Sequence, residues 1–499
     1  SREVALVGIP MGADGVTYRA FENQIDHHAQ QIADRLRSGK YLFYPFRDIV
    51  VMKHPPADGH RPTRAEIKEA ISRDRVRILT VASIRDAIVQ RVLEKVLTDA
   101  AEEWFSVLDG QGPVSFAYRP CKSAPDAARK VRQHMRRDFV HVLDADLNKF
   151  FDRIPRKALL DVCADLVNPV ENPLTFDLLR RFIHVDRVHY LSYHWARDAK
   201  GRLLRESVFQ TKKPRFYEAE PQRDRPQRYK CECGVPQGGV ISGLLANLYL
   251  HSFDQWLASE LRTQIPLRYV RYADDFVILT RSRDDTLAVY EAVRERMEMP
   301  TEDGGWGLRM HPLEAGNPEA KTKYLDTSHT PVKFVGFEIS PSKLRVHPDN
   351  IQRFQQKWQD AVTSENELRE DVPEPKERLR LLIKERLRYK VIGYVEPTRC
   401  RRCGRDRPAY RSWISFYSAV SDWRQIRALE KWMKKQIYDQ FGTELPDLTA
   451  SDLRELGLPS LMRRYKRMRE LKRQPSACCT RADSAIDLCT SPPLWRGYL

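Results

Sequence analysis

The sequence has no long hydrophobic run, little cysteine and no internal repeat. Among its 499 residues no stretch approaches the roughly 18 uncharged apolar residues that a membrane helix needs, and the start SREVALVGIPMGADG lacks the basic and apolar regions of a signal peptide. Nine cysteines scattered over so long a chain do not resemble the framework of a secreted disulfide-rich domain. These absences predict a soluble protein with no membrane partner, reduced thiols and, by default, a cytoplasmic location.

Positive charge is what the sequence has in excess. Its 85 Lys and Arg against 68 Asp and Glu leave a net charge of +17, which is typical of proteins with a polyanion partner, although a basic surface also serves solubility. Hydrophobic residues make up 41% of the chain, enough for two or three packed subdomains. Composition therefore favours a globular protein that binds nucleic acid.

Two segments with a strand pattern end in acidic residues. The stretch FVHVLDADL carries Asp144 and Asp146, and RYADDFVIL has the pattern of a β-hairpin whose turn residues are Ala273 and Asp274, followed by Asp275. Carboxylates this close disfavour joint ionisation unless a cation offsets them, and hard oxygen ligands suit Mg²⁺. The alternative is a solvated hairpin tip, which is the usual reason for an Asp-Asp turn.

Between these two segments, CGVPQGGVISGLLANLYLH begins a long helix after Pro-Gln-Gly-Gly. Glycines at a helix entrance let another backbone or a base approach closely, and the free N–H groups there favour phosphate. A tight turn before a core helix is the alternative. An acidic strand, a Gly-rich helix entrance and a Tyr-Ala-Asp-Asp hairpin in this order are what reverse transcriptases carry, so the chain resembles the bacterial reverse transcriptases of the group II intron type.

The resemblance covers about residues 12 to 440. GADGVTYRAF, RVRILTVASIRDAIVQ and SFAYRPCKSAPDA resemble finger motifs; DADLNKFFDRIP, VPQGGVISGLLANLYL, RYADDFVIL, NPEAKTKYL and FVGFEIS resemble palm motifs. The resemblance implies an α+β right-hand polymerase. Its expected parts are fingers in 1–140, a palm with an antiparallel sheet in 141–345 with an insertion at about 195–232, a helical thumb or maturase-like region in 346–440, and a basic helix with a C-terminal tail in 441–499.

The same resemblance implies the metal ligands and the proton donor. Asp146, Asp274 and Asp275 would hold two Mg²⁺ ions, and Lys321 in NPEAKT matches the lysine thought to protonate pyrophosphate. Asp146 is chosen over Asp144 because the family pattern of an Asp, three residues, two aromatics and a second Asp fits DLNKFFD.

The resemblance further implies contacts with the incoming deoxynucleotide. Phe151 matches the aromatic position under the sugar, and Gln237 and Gly238 match the position beneath the nascent base pair. Arg77 and Arg119 would hold the triphosphate, because a guanidinium fork fits phosphate oxygens. The alternatives are a core aromatic for Phe151 and ordinary surface charges for the two arginines.

Two features lie outside this scheme. Cys231 and Cys233 form C-x-C, while Cys400 and Cys403 form C-x-x-C, so that four thiolates are candidates for one structural Zn²⁺; reduced surface thiols are the alternative. The stretch LMRRYKRMRELKRQ predicts a basic helix, which either grips RNA phosphates or is a solvated basic face.

Departures from the family pattern bear on the biological role. VAS at 81–83 stands where Ile-Pro-Thr is usual, Gly243 stands where Pro is usual, and no His-rich endonuclease pattern follows the thumb. These departures favour a domesticated reverse transcriptase tied to phage defence over an intron's own reverse transcriptase/maturase. We expect an RNA template, a DNA product and a dedicated non-coding RNA as candidate partner. Untemplated or protein-primed DNA synthesis and a maturase-like RNA chaperone are competing hypotheses, and the sequence leaves the oligomeric state open.

Overall fold

The structure, a computed structural model, describes residues 12–14, 16–53, 63–73, 75–110, 112–188, 228–229, 233–314, 317, 320–399 and 406–473. Most of the predicted insertion at 195–232 and the C-terminal tail lie outside these residues. Among the described helices, none combines the length and the apolar character that crossing a membrane requires.

Helices supply most of the regular structure. In chain order they are α1 (Tyr18–Glu22), α2 (Ile25–Arg37), α3 (Arg64–Ser72), α4 (Ile84–Asp109), α5 (Ala124–Met135), α6 (Phe150–Arg153), α7 (Arg156–Val167), α8 (Pro173–Ile183), α9 (Ser242–Tyr249), α10 (His251–Gln255), α11 (Arg262–Gln264), α12 (Arg283–Glu298), α13 (Pro348–Thr363), α14 (Pro375–Leu382), α15 (Arg388–Ile392), α16 (Trp413–Phe416), α17 (Trp423–Phe441), α18 (Ala450–Glu455) and α19 (Leu461–Arg473). Short π-helical turns at Trp256–Leu261 and Ile383–Leu387 continue α10 and α14.

The strands form four sheets. They are β1 (Phe46–Met52), β2 (Val76–Val81), β3 (His141–Ala145), β4 (Arg187–Val188), β5 (Arg228–Tyr229), β6 (Arg268–Tyr272), β7 (Asp275–Thr280), β8 (Lys323–Asp326), β9 (Val332–Phe334), β10 (Phe337–Ile339), β11 (Leu344–Val346), β12 (Tyr394–Arg399) and β13 (Asp406–Arg411). Their orders are β2-β1-β4-β5, β6-β7-β3-β8, β11-β10-β9 and β12-β13. The mixture of helices and antiparallel sheets confirms the α+β fold class.

The chain divides into two compact units. The first consists of Ser1–Gly112, Leu147–Gln255 and Val293–Met310, and the second of Pro113–Asp146, Trp256–Ala292 and His311–Leu499. Each unit combines segments that are far apart in the chain. This division does not test the boundaries expected for fingers, palm and thumb, which remain predictions.

In the first unit, the sheet β2-β1-β4-β5 and the long helix α4 are the main elements. The helix begins at an N-cap, where the Ser83 hydroxyl accepts a hydrogen bond from the Asp86 N–H. Its buried apolar side chains recur at helical spacing: Val89, Leu93, Leu97, Ala101 and Phe105. This period turns one face of α4 towards the interior of the unit.

In the second unit, one hydrophobic core joins the sheet β6-β7-β3-β8 to the C-terminal helices. Val142, Val277 and Leu279 from the sheet belong to the same buried cluster as Trp358 of α13 and Tyr465 of α19. These side chains cover part of one face of the sheet.

Local predictions fared differently. The strand predicted in FVHVLDADL is β3, and the basic stretch LMRRYKRMRELKRQ forms α19. The helical spacing of apolar residues in TYRAFENQIDHHAQQIADRLRSGK predicts one helix over 17–40, but the structure has two, since α1 ends at Glu22 and α2 begins at Ile25. The composition of EPTRCRRCGRDRPAY predicts a loop between helices, and this prediction is wrong in part, since Arg399 pairs with Asp406 at the end of the β12–β13 ladder. Cross-strand pairing at this site outweighs the turn-forming prolines and glycine.

Candidate active site

The hairpin of β6 and β7 confirms the predicted Tyr-Ala-Asp-Asp turn. Tyr272 pairs with Asp275, which leaves Ala273 and Asp274 as the two turn residues. Ala273 has φ 60°, a conformation that usually requires glycine at the first position of a tight hairpin turn. The fully buried Arg271 donates a hydrogen bond from Nη1 to the Ala273 carbonyl at 2.9 Å, which stabilises this turn.

Strand β3 ends beside this turn. Ala145 pairs with Phe276, so that continuing the register by one residue sets Asp146 opposite Asp275. Opposite residues of antiparallel strands point to the same face, with Cα atoms about 4.5–5.5 Å apart. The three predicted metal ligands, Asp146, Asp274 and Asp275, therefore lie at the same end of one sheet.

A lysine and a histidine contact the first of these carboxylates. Lys321 Nζ lies 3.3 Å from Asp146 Oδ2 and 3.2 Å from His311 Nε2. The backbone N–H of His311 also donates to the Asp146 carbonyl at 3.1 Å. The structure thus brings the predicted Asp146 and Lys321 together, and it adds His311, which sequence reasoning missed because no local pattern in RMHPL indicates a contact with a distant strand.

A second aspartate–lysine pair lies two residues back along β3. Asp144 is opposite Lys323 of β8, and Lys323 Nζ lies 3.8 Å from Asp144 Oδ2. Burial raises the pKa of the Asp144 carboxyl to about 7, against the opposing effect of Lys323 and with a further rise from Asp146. Asp144 is thus held by its cross-strand lysine, in keeping with its exclusion from the predicted ligands.

The donor chemistry at this end of the sheet suits a hard cation. Asp146, Asp274 and Asp275 offer carboxylate oxygens alone, which is the ligand type that Mg²⁺ prefers. Within the described ranges, however, no three His, Cys, Asp or Glu side chains are grouped so that they hold a metal ion as they stand. The Asp146 carboxylate is instead turned to Lys321. Magnesium binding by these residues stays a prediction.

In the first unit, the Gly-rich helix entrance is built against strand β2. The Gln237 carbonyl accepts hydrogen bonds from the Thr80 N–H at 2.6 Å and from the Thr80 hydroxyl at 2.9 Å. Gly238 has φ +109°, and a Cβ at this position would lie 2.6 Å from the Thr80 carbonyl oxygen. Only glycine fits here, so the expectation that another backbone approaches closely is confirmed.

The same turn packs against the segment that follows β3. The Phe151 carbonyl accepts a hydrogen bond from the Val235 N–H at 2.7 Å, and Gln237 Nε2 lies 3.4 Å from Asp152 Oδ2. Phe150 is buried, whereas Phe151 is only partly buried, and their rings meet edge to face at 5.3 Å. Phe150 is thus the core aromatic of this pair, and the Phe151 ring remains accessible.

The two predicted triphosphate-binding arginines lie in different environments. Arg77 is exposed on β2, two residues from Leu79 and opposite Val51 of β1. Arg119 belongs to the second unit and is buried, where its Nη1 donates to the Ser115 carbonyl and hydroxyl at 3.2 Å each. Triphosphate binding by either arginine stays a prediction, and for Arg119 it requires the side chain to leave Ser115.

Comparison with known proteins decides the family. The family described as reverse transcriptase (RNA-dependent DNA polymerase) matches residues 67–339, more than half of the chain. The chain belongs to the reverse transcriptase family. Its activity is accordingly RNA-directed DNA polymerisation, and the resemblance inferred from the motifs is confirmed.

Curated relatives of this reverse transcriptase are distant. Protein YkfC of Escherichia coli is 23% identical over 350 residues, which span 64% of this chain and 74% of that protein. The uncharacterized 91 kDa protein in the cob intron of Schizosaccharomyces pombe is 25% identical over 228 residues, or 46% of this chain and 20% of that protein. The putative COX1/OXI3 intron 1 protein of Saccharomyces cerevisiae is 21% identical over 383 residues, which span 67% of this chain and 37% of that protein.

Solved structures with some likeness include apo telomerase from Candida tropicalis, with a TM-score of 0.39 and 11% identity over 91% of this chain and 68% of that one. A chain of the partial Cas6-RT-Cas1–Cas2 complex has a TM-score of 0.27 and 20% identity over 57% of this chain and 38% of its own.

The proposed zinc ligands of this reverse transcriptase lie mostly outside the described residues. Cys231, Cys400 and Cys403 belong to stretches that the structure does not describe. Cys233 is exposed, and its Sγ lies 3.2 Å from the Asp152 carbonyl oxygen. The structural Zn²⁺ stays a prediction.

Proposed function

We propose that this reverse transcriptase adds deoxynucleotides to a 3′ hydroxyl with two Mg²⁺ ions held by Asp146, Asp274 and Asp275. The observation that carries the proposal is the register of β3 against β7, which sets Asp146 opposite Asp275 beside the turn residue Asp274. Two Mg²⁺ ions held there would activate an attacking hydroxyl and stabilise a leaving pyrophosphate. The chain's part is to hold the three carboxylates at the same end of one sheet.

Lys321 is the proposed proton donor to pyrophosphate. Its ammonium lies within 3.3 Å of the Asp146 carboxylate and is 56% exposed, so it is accessible to a substrate. A positioned lysine suits this role because its pKa responds readily to its surroundings. His311 at 3.2 Å positions the ammonium from the other side.

The nucleotide contacts proposed for the first unit are supported by the turn at Gln237 and Gly238. This turn is tied to β2, the strand that carries the exposed Arg77, and it also packs on the segment of Phe151. We propose that Phe151 excludes a 2′-hydroxyl, that Gln237 and Gly238 lie beneath the nascent base pair, and that Arg77 binds the triphosphate. For Arg119, which belongs to the second unit, triphosphate binding is a separate proposal that rests on the family resemblance.

For the biological role we propose domesticated antiviral defence, with a dedicated non-coding RNA as partner. The departures from the intron type support this role, namely VAS at 81–83 and Gly243. An intron-encoded reverse transcriptase/maturase is the second candidate, because two relatives are named for introns. Sequencing the RNA that copurifies with the protein separates the two: one abundant small RNA supports the first candidate, and intron RNA supports the second.

Primer extension on an RNA template tests the catalytic assignment. We expect Asp274→Ala and Asp275→Ala each to lower the incorporation rate by about 10²–10³-fold, because the site loses one charged oxygen ligand. Asp284→Ala, which removes an exposed acid at the start of α12, is the matched control and should extend primers normally. If either turn variant incorporates deoxynucleotides at the control rate, the assignment is wrong.

A further inference from the structure

Helix α5 has two faces of opposite character. Its buried face carries the small and apolar side chains of Ala127, Ala128, Val131 and Met135, together with His134. The opposite face carries Arg129, Arg132 and Gln133, and Arg136 extends it just past the end of the helix. This basic stripe is about 10 Å long at the rise of an α-helix. Because the apolar face of α5 packs in the core, the basic stripe lies on the opposite side of the helix, away from the core.

The basic stripe forms one wall of a groove of about 580 Å³ within the second unit. Five arginines line this groove, which we call the arginine groove: Arg129, Arg132, Arg136, Arg137 and Arg469. The last of them comes from α19, the basic helix singled out in the sequence. Among the described residues that line the groove, none is Asp or Glu. None of them belongs to the proposed catalytic or nucleotide-binding set.

These arginines are only partly neutralised. Arg129 pairs with Asp126. Arg132 donates from Nη2 to the Ser342 carbonyl at 2.8 Å, while its buried Nε has no hydrogen-bond partner within the part of the chain that the structure describes. Burial, and then the neighbouring Arg136, lowers the pKa of Arg132. Like charges held this close are stabilised by an anion between them.

Arg136 and Arg137 are exposed, and in the described residues neither forms an ion pair. On the facing side, Arg469 is held in place, because its Nη1 donates to the Tyr465 hydroxyl at 2.8 Å and its guanidinium lies 5.4 Å from the Tyr465 ring centroid. Guanidinium groups on opposite walls of a groove suit the successive phosphates of a backbone, which each accept a bidentate pair of hydrogen bonds.

The rest of the lining indicates which nucleic acid fits. Single strands are bound on aromatic side chains that stack with the bases, and the described lining has no aromatic residue. Duplex RNA is recognised by shape, through phosphates and 2′-hydroxyls. The exposed Gln133 amide both donates and accepts hydrogen bonds, as contact with a 2′-hydroxyl requires, whereas the hydroxyls of Ser418 and Ser421 are already bonded to the backbone.

We propose that the arginine groove binds the backbone of a double-stranded RNA segment, at a site separate from the polymerase residues. Such a site holds a folded RNA by its stem while another part of the RNA is copied, and it thereby selects which RNA becomes the template. This last consequence rests on the proposed function, whereas RNA binding by the groove does not.

Fluorescence anisotropy with a blunt RNA hairpin and the full chain tests the groove. The test variant is Arg136→Glu/Arg137→Glu, which alters two exposed arginines outside the core. The matched control is Arg463→Glu/Arg467→Glu, which makes the same charge change at exposed positions of α19 that do not line the groove. We expect the test variant to raise the Kd by about tenfold or more and to lower the salt dependence of log Kd by about two, while the control changes the Kd by less than about threefold.

Three results would overturn the proposal. The first is an equal loss of RNA affinity in the test and control variants. The other two concern the wild type: it binds a DNA hairpin of the same sequence as tightly as the RNA hairpin, or polyglutamate displaces the RNA at a concentration similar to that of competing RNA. Cross-linking with 4-thiouridine in the hairpin should label the peptide that contains 129–137. Primer extension on an unstructured template should be unchanged in the groove variant, so that failure of the groove proposal and failure of the catalytic proposal give different results.

Discussion

Asp144 and Asp146 lie on the same face of β3, and each has a lysine near its carboxylate, yet the two pairs differ in exposure. Lys323 beside Asp144 is 21% exposed, whereas Lys321 beside Asp146 is 56% exposed. Asp144 and Lys323 face each other across a strand pair, while Lys321 comes from the loop before β8. Two aspartate–lysine pairs of equal chemistry thus differ in how accessible the ammonium group is, and this difference favours Lys321 over Lys323 as the proposed proton donor.

The largest expected difference between the pairs is catalytic. Asp146→Asn should lower the rate of primer extension by about 10³-fold, or about 4 kcal/mol in the activation barrier, because a neutral amide replaces a charged metal ligand. Asp144→Asn is the matched control and should retain at least about a tenth of the activity, since Asp144 is held by Lys323. Single-turnover extension measures both rates. Equal losses in the two variants would end the distinction between the pairs.

Substitution of the two lysines should also reduce activity unequally, by less than substitution of the two aspartates. Lys321→Met should lower kcat by about 10²-fold, because the reaction loses a positioned proton donor, with little change in the apparent KM for deoxynucleotide. Lys323→Met removes the corresponding cation from the partly buried Asp144 pair and should leave kcat within about threefold of wild type. Steady-state extension at several nucleotide concentrations separates kcat from KM. A larger effect at Lys323 than at Lys321 would reverse the assignment.

The smallest expected effect concerns stability and pH. Burial raises the pKa of Asp144 to about 7 in the folded chain, above the usual value of about 4 in the unfolded chain. The folded state therefore holds the proton more tightly between about pH 4 and pH 7, and this carboxyl's contribution to stability is lost as the pH rises through that window, by at most about 1.4 kcal/mol per pH unit.

Asp144→Asn removes this titration. The stability of wild type relative to the variant should therefore fall as the pH rises across the same window, and remain level above it. Denaturant unfolding in a metal-free buffer at several pH values measures the difference. If the free energy of unfolding of wild type instead rose with pH relative to that of Asp144→Asn, the carboxyl would be ionised and stabilised in the folded chain.

Patterns within a few residues predicted much of the candidate site. The two-residue turn at Ala273 and Asp274 follows from turn chemistry, and β3 follows from its β-branched residues. Gly238 was predicted as a point of close backbone approach, although its partner Thr80 is 157 positions away from the neighbouring Gln237 and was not identified. The β12–β13 ladder was missed because its pairing overrides a composition that is typical of loops.

No local sequence pattern indicated which distant residues contact the aspartates of the site. His311 reaches Lys321 and Asp146 through a loop contact, and Lys323 meets Asp144 only because β8 pairs with β3 in one register. A shift of that register by one residue would turn every side chain of β8 to the other face. The arginine groove likewise requires α5 and α19, whose residues are remote in the chain, to lie on the two sides of one cavity.

The family, the strand β3 and the Ala273–Asp274 turn were readable from the sequence, because motif order, strand period and turn chemistry are properties of contiguous residues. Exposure was not readable, because it depends on which segments pack together. Only the tertiary structure distinguishes the partly buried Lys323 from the exposed Lys321, and the buried Phe150 from the accessible Phe151. Only it gathers the arginines at α5 and α19 into one groove. The physical reason is that burial and register are set by the sum of many distant contacts.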